Sequence, residues 1–251
     1  MKMKLMQKYL FFLFFGLTLS PQISWVQAQS LPTIKGVQLS QKFKPRVDNK
    51  RNPSTDGGAT RGSFCMDRKD TIIPLNPQNF IGLTVAKRPT FFWYQPNSTG
   101  QLIKFTITDK DGSEKLYETN LPIPNKAGIM KFTMTEDVTE LAVNQIYKWT
   151  VTVVCDPEDS SSNIKMSSWI ERIEPDASLV DQLKQSNYRK LSNIYGEAGI
   201  WYDGLNALVE QRCTEPNNLS SNLKWRQFLG SVGLNQIVSK PLINSCPVNT
   251  R

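Results

Sequence analysis

Tyr147–Cys155 reads YKWTVTVVC, and its alternation decides the fold of the first half of the chain. Tyr147, Trp149, Val151, Val153 and Cys155 fall on one face of an extended strand, and Lys148, Thr150 and Thr152 on the other. Such a strand has one buried face and one wet face, as in an antiparallel sheet. Working outward, Lys104–Thr108 (KFTIT) puts Phe105 and Ile107 inward. Asp109-Lys110-Asp111-Gly112 then supplies a turn, and Lys115–Leu121 returns as the hairpin partner. Met130, Phe132 and Met134 share one side of the next strand. Thr90–Tyr94 (TFFWY), Ser168–Ile173 and a short run near Phe80–Thr84 bring the total to about seven. This pattern predicts an antiparallel β-sandwich over 65–174, with immunoglobulin-like packing.

After Pro175 the period becomes helical. Leu179, Leu183, Leu191 and Ile194 predict a helix over 177–195. Trp201, Leu205, Leu208 and Val209 predict a second near 200–212, with Gly196 and Gly199 bracketing the turn between them. Leu223, Phe228 and Leu229 predict a third near 222–231. The stretch Leu191–Asn218 is similar to one tetratricopeptide repeat, with Gly204 where a small residue lets two helices approach. A lone repeat cannot bury its own face, so it must pack on the third helix and the sandwich. The expected architecture is α+β in two parts, the β-sandwich followed by a small helical domain over 175–251.

Residues 1–28 read as a secretory signal peptide. Lys2, Lys4 and Lys8 precede the apolar run Tyr9–Leu19, and Val26-Gln27-Ala28 forms a small-x-small cleavage site. The apolar run is shorter than a bilayer span requires, and retention as an N-terminal anchor is the alternative. The expected location is the periplasm or cell envelope of a Gram-negative-type bacterium. Cys65, Cys155, Cys213 and Cys246 follow the leader. An even number in an exported chain suggests two disulfides in one of three connectivities. Cys65–Cys155 with Cys213–Cys246 is preferred, because each pair then lies within one expected domain.

The formal net charge of +8 is unevenly placed: the leader carries +3, residues 29–64 carry +5, and 65–251 is neutral. The basic segment is rich in Pro, Gly, Ser and Asn and lacks an apolar period, so it reads as a flexible arm over 29–64. Such an arm serves as a linker or makes peripheral contact with an anionic envelope surface. Nucleic acid is not an expected partner, since the folded part is neutral.

Histidine is absent from the chain. That excludes a Ser-His-Asp or Cys-His arrangement, a His-ligated zinc and any imidazole base. No catalytic residue, cofactor or metal ligand is expected. Asp109-Lys110-Asp111-Gly112 lacks the full calcium-loop spacing and reads as a hairpin turn. Asp156, Glu158 and Asp159 read as a polar loop, and Glu197 and Asp203 as a helix-terminal and a solvent-facing acid. The candidate binding surface is aromatic: Phe91, Trp93 and Tyr94 on one strand, with Trp201 and Tyr202 on a helix.

Several pieces in order carry a family resemblance. They are Cys65, Arg88-Pro89-Thr90-Phe91, Trp149 with Cys155-Asp156-Pro157, Trp169-Ile170-Glu171-Arg172, the Gly199-Ile200-Trp201-Tyr202-Asp203 core, and Ser231-Val232-Gly233-Leu234. Together they resemble the DUF928 family of exported, mostly cyanobacterial proteins. The resemblance implies a signal peptide and an envelope location, and it supplies no catalytic residues. The leading functional expectation is a non-catalytic binding or scaffold module for protein partners or the cell wall. A polysaccharide-binding module is the alternative, and a carboxylate-dependent glycoside hydrolase, which needs no histidine, comes third.

Overall fold

The strand signals of the first half resolve into two sheets. A computed structural model describes residues 42–47, 50, 65–243, 245 and 246, all within one compact unit. The smaller sheet has the order β1 (Ile73–Pro74), β3 (Thr90–Gln95), β6 (Gly128–Thr133). The larger has the order β2 (Gly82–Thr84), β8 (Ile164–Arg172), β7 (Gln145–Val154), β4 (Leu102–Asp109), β5 (Lys115–Leu121). Four helices follow: α1 (Ala177–Lys184), α2 (Tyr188–Glu197), α3 (Trp201–Thr214) and α4 (Leu219–Gly230). Among the described residues no helix is long and apolar enough to cross a membrane. The expected signal peptide lies outside them.

Alternation builds the core as the sequence implies. Trp149, Val151 and Val153 of β7 and Ile103, Phe105 and Ile107 of β4 are fully buried. From the other sheet, Phe91 meets Phe105 at 5.1 Å and Trp149 at 5.3 Å, and Phe132 meets Phe105 at 4.5 Å between ring centroids. One ladder departs from the antiparallel expectation: β2 pairs parallel with β8. Parallel pairs need cover on both faces. Here α3 packs against β2, and Leu83 is buried with Leu179 and Ile200.

The helix expected over 177–195 is two helices, broken at Gln185–Asn187. Asp176 caps the first by accepting from the Leu179 amide at 2.8 Å. Gly199, at φ 75°, turns the chain from α2 into α3, and a Cβ there would lie 2.7 Å from Arg46 Cγ. At Gly204 a Cβ would lie 3.3 Å from Tyr195 Cβ on α2 and 3.2 Å from Phe228 Cζ on α4, so its smallness sets how closely these helices pack. Leu223, read as part of the buried stripe of its helix, is exposed; Trp225, Phe228 and Leu229 carry that burial.

The strands and helices share one apolar cluster, which runs from Phe105 and Trp149 through Tyr202 to Phe228. Tyr202 makes the join. Its hydroxyl accepts from Trp149 Nε1 at 2.8 Å and donates to the Trp169 carbonyl at 3.0 Å. Its ring lies against Gly82, where a Cβ would sit 2.6 Å from Tyr202 Cε2. Trp201 beside it donates to the Leu75 carbonyl at 2.8 Å.

Two outlying stretches of the described residues are tied into this body. The expected flexible arm is docked at residues 42–47 and 50, which corrects that expectation for this stretch; the rest of 29–64 lies outside the described residues. The physical reason is Phe43, the one large apolar side chain in that stretch that finds cover. It is buried, with its ring edge-on to Trp201 at 5.0 Å, while the Lys44 amide donates to the Gly196 carbonyl at 2.9 Å. At the other end, Pro241–Ile243 lies along the edge of β6. The Ile129 amide donates to the Pro241 carbonyl at 2.7 Å, and the Ile243 amide donates to the Ile129 carbonyl at 2.9 Å. Cys213–Cys246 pins this tail to the end of α3, and Cys65–Cys155 ties the start of the strand region to the end of β7, with Cα separations of 5.3 and 5.4 Å. Both pairings are the preferred ones.

Replacing Trp149 by Ala is expected to cost about 3–5 kcal/mol in denaturant melts, since it empties a buried site and removes the donor that the Tyr202 hydroxyl accepts from. Phe43→Ala is expected to cost about 3 kcal/mol by the same measurement, although Phe43 lies outside every regular element. A loss below about 0.5 kcal/mol would mean that residues 42–47 do not hold to the body.

Candidate functional site

The expected aromatic surface is not a surface. Phe91, Trp93 and Trp201 have no exposed area, and Tyr202 retains 1%. These rings come together in the core, Phe91 meeting Tyr202 at 5.7 Å. They are buried because sheet and helices close over both sides of β3. Tyr94 alone is half-buried, with Lys240 Nζ 4.9 Å from its ring centroid. No stacking platform for a sugar ring exists at these five positions.

The acidic candidates are also accounted for. Asp109 caps its own hairpin, accepting from the Ser113 amide at 2.7 Å and the Glu114 amide at 3.1 Å, and Gly112 takes φ 79°. Asp159 caps a short 3-10 turn by accepting from the Ser161 amide at 2.9 Å. Among the described residues no cluster of three His, Cys, Asp or Glu side chains is arranged to hold a metal ion.

A cleft of about 370 Å³ opens where the docked N-terminal stretch meets the end of β8. Arg46 and Lys50 line it from one side, Glu171 and Glu174 from the other, with Asn144 at φ 60° beside them. Lys50 Nζ pairs with Glu171 Oε1 at 2.7 Å, so the facing charges are spent largely on each other.

The other polar feature is the outer face of the larger sheet, exposed at Lys115, Glu118, Asn120 and Lys165 and closed at Thr152 and Trp169, which keep 7% and 3% of their area. The ladder registers place its side chains in three rows across the strands. The first runs Asn120, Lys104, Thr152, Lys165. The second runs Glu118, Thr106, Thr150, Ser167, with Thr150 and Ser167 hydroxyls 2.9 Å apart. The third runs Lys115, Thr108, Lys148, Trp169. Lys115 and Lys165 are exposed, and Lys104 keeps 41% of its side chain exposed. Lys148 Nζ rests 5.6 Å from the Trp169 ring centroid. Glu118 is the acid of these rows, 3.2 Å from Lys115 Nζ and 3.8 Å from Lys104 Nζ. These rows carry four ammonium groups and one carboxylate, which holds two of the four, on a body whose sequence from 65 to 251 is neutral. Such a face attracts anions through a field screened over roughly 8 Å at physiological salt.

Asp203 is not the solvent-facing acid expected. It lies in the first turn of α3, and its Oδ2 accepts from Thr84 Oγ1 at 2.8 Å and from the Val85 amide at 3.2 Å. Burial raises its carboxyl to about 6, against a lowering by those two donors. It is not among the groups lining the cleft. The folded state therefore holds this proton more tightly than the unfolded chain. The stabilisation is complete below the ordinary value of 3.8 and is lost as pH rises through about 6. In urea melts, Asp203→Asn is expected to gain on the parent protein between about pH 4 and pH 7, by on the order of 2 kcal/mol. An offset between the two that does not change with pH would show that the carboxyl ionises freely.

Sequence reading missed the lysine rows because a row exists only once strand register is known. The signal was present in part, in the polar half of each alternating strand.

A search of curated proteins found no match to the chain. A family model does match residues 56–242, most of the chain, and its description is Domain of Unknown Function (DUF928). With the matched span covering both sheets and all four helices, the chain belongs to the DUF928 family.

Proposed function

We propose that this is an exported, non-catalytic binding module of the cell envelope, and that it holds an acidic polysaccharide on the outer face of its larger sheet. The observation that carries the reading is the set of four lysines, Lys104, Lys115, Lys148 and Lys165, interleaved with threonine hydroxyls on that one face. Ammonium groups give charge attraction to the carboxylates of such a polymer. A flat face of this kind suits an extended polymer better than a compact ligand, which prefers a concave apolar site. The rows expose no large apolar side chain to enter a bilayer, which favours a polysaccharide over a lipid surface.

Export rests on the signal-like leader, and two disulfides agree with an oxidising compartment. In this reading the paired sheets are an immunoglobulin-like sandwich with a parallel strand added at one edge, and α2–α3 is a single tetratricopeptide-like pair that packs inward. The pair offers no peptide groove, because α4 and the sheets occupy its inner face. A protein partner remains the second reading, favoured by exposed Tyr188, Leu219 and Leu223. A glycoside hydrolase has less support: Glu171 of the cleft is paired with Lys50, and the raised carboxyl of Asp203 lies elsewhere.

Affinity electrophoresis of the purified full chain through gels containing polygalacturonate or neutral dextran tests the reading. Retardation by polygalacturonate alone is expected, reversed by raising salt from about 0.05 M to about 0.5 M. The K104Q/K115Q/K148Q/K165Q variant is expected to migrate without retardation. Equal retardation by dextran, or none by either polymer, would overturn the proposal.

A further inference from the structure

A sheet edge leaves a row of backbone N–H and C=O groups without strand partners, and the edges of the two sheets are not treated alike. The β1 edge is two residues long, and one of them, Pro74, has no N–H to offer. The β2 edge is three residues long and packs against α3, and just before it the Ile81 amide donates to the Lys50 carbonyl at 2.9 Å. Pro241–Ile243 takes the edge of β6. The outer edge of β5, seven residues from Lys115 to Leu121, has no segment beside it among the described residues.

Both ends of that edge are blocked and its middle is not. Tyr117 stands opposite Ile107 and Lys115 opposite Thr108, so Leu116 between them is bulged. Pro122 follows Leu121 at once and ends the run of donors. The unblocked stretch is Tyr117–Leu121, with Thr119 at its middle. Tyr117, Thr119 and Leu121 face the core side, opposite Ile107, Phe105 and Ile103, and Glu118 and Asn120 face outward.

We propose that β5 is an interaction surface for a second copy of this chain, and that the two β5 strands pair antiparallel about a two-fold axis through Thr119. Residues opposed across an antiparallel pair share one side of the sheet, so such a pairing must be centred on a residue. Centred on Thr119, it uses the whole unblocked stretch. Tyr117 then meets Leu121 of the second copy, Glu118 meets its Asn120, and Thr119 meets its own equivalent. Aromatic–aliphatic and Thr–Thr neighbours stabilise such a ladder. The Tyr117 ring is already held in place by Phe132, stacked at 5.8 Å between centroids. Centring one residue earlier sets Glu118 against Glu118, a like-charge pair, and centring one later sets Glu118 against Pro122, which has no donor. The axis stands perpendicular to the sheet, so the two larger sheets continue into one, with their outer faces on the same side.

An edge contact of this length buries less than a standard interface, so the pairing is weak. Sedimentation velocity of the purified full chain, from about 5 µM to about 500 µM, is expected to show a monomer moving toward a dimer as concentration rises. Register is read with two single variants, E118C and N120C, both at exposed positions. In the proposed pairing, position 118 of one copy faces position 120 of the other, while each position is offset from its own equivalent. Under mild oxidation an equimolar mixture is expected to form the mixed disulfide-linked dimer about tenfold faster than either variant forms its own. Melting curves of both variants are expected to match the parent. A chain that stays monomeric at the top of the concentration range would overturn the proposal, and so would equal cross-linking rates. Loss of the dimer in L219S/L223S would place the contact on α4, where both leucines are exposed, and would overturn it as well.

Discussion

The hydroxyl of Tyr202 is the point on which the rest of the structure turns. It takes the indole proton of Trp149 and gives its own to the Trp169 carbonyl. Trp149 belongs to β7 and Trp169 to β8, at the centre of the larger sheet, while Tyr202 belongs to the first turn of α3. One oxygen thus fixes where the helices meet the strands. Burial raises its phenol above the ordinary range, so it stays a neutral donor and acceptor. The requirement propagates: the ring needs a glycine beneath it at position 82, and Trp201 next to it sets the pocket that Phe43 fills. A break at the hydroxyl leaves the Trp149 indole N–H unpaired in an apolar interior, while the Trp169 carbonyl keeps its bond from Asn76 Nδ2 at 3.1 Å; an unpaired buried donor costs more than the contact itself contributes.

Most of the regular structure was legible in the residues. The alternation of Tyr147–Cys155 placed β7, and its cross-strand neighbours followed from the same period. The helix start at Trp201 followed from the glycines before it. What escaped has a common cause. The break between α1 and α2 comes at Gln185–Asn187, where no glycine or proline marks it. The docking of Phe43 depends on a pocket assembled by Trp201 and Phe228, far along the chain. Neither is encoded locally.

The aromatic residues teach the same lesson from the other side. Phe91, Trp93, Trp201 and Tyr202 have the chemistry of a sugar platform, yet every one is enclosed. Residue type alone does not distinguish a ring that stacks on a ligand from one that stacks on its neighbours. Lysine and threonine on the wet half of a strand look ordinary in sequence, and only the pairing of β5, β4, β7 and β8 aligns them into rows. The family assignment covers the whole of this arrangement but brings no site with it, so the argument for binding rests on register and charge.

The manner in which Pro241–Ile243 closes the edge of β6 bears on how the molecule matures. A ribosome releases a polypeptide from its N-terminus onward, so this border of the smaller sheet stays unsatisfied until residues 241–243 emerge. Cys213 must likewise wait for Cys246, 33 residues further along. A nascent fragment stopping short of residue 240 would therefore present an open strand to its surroundings.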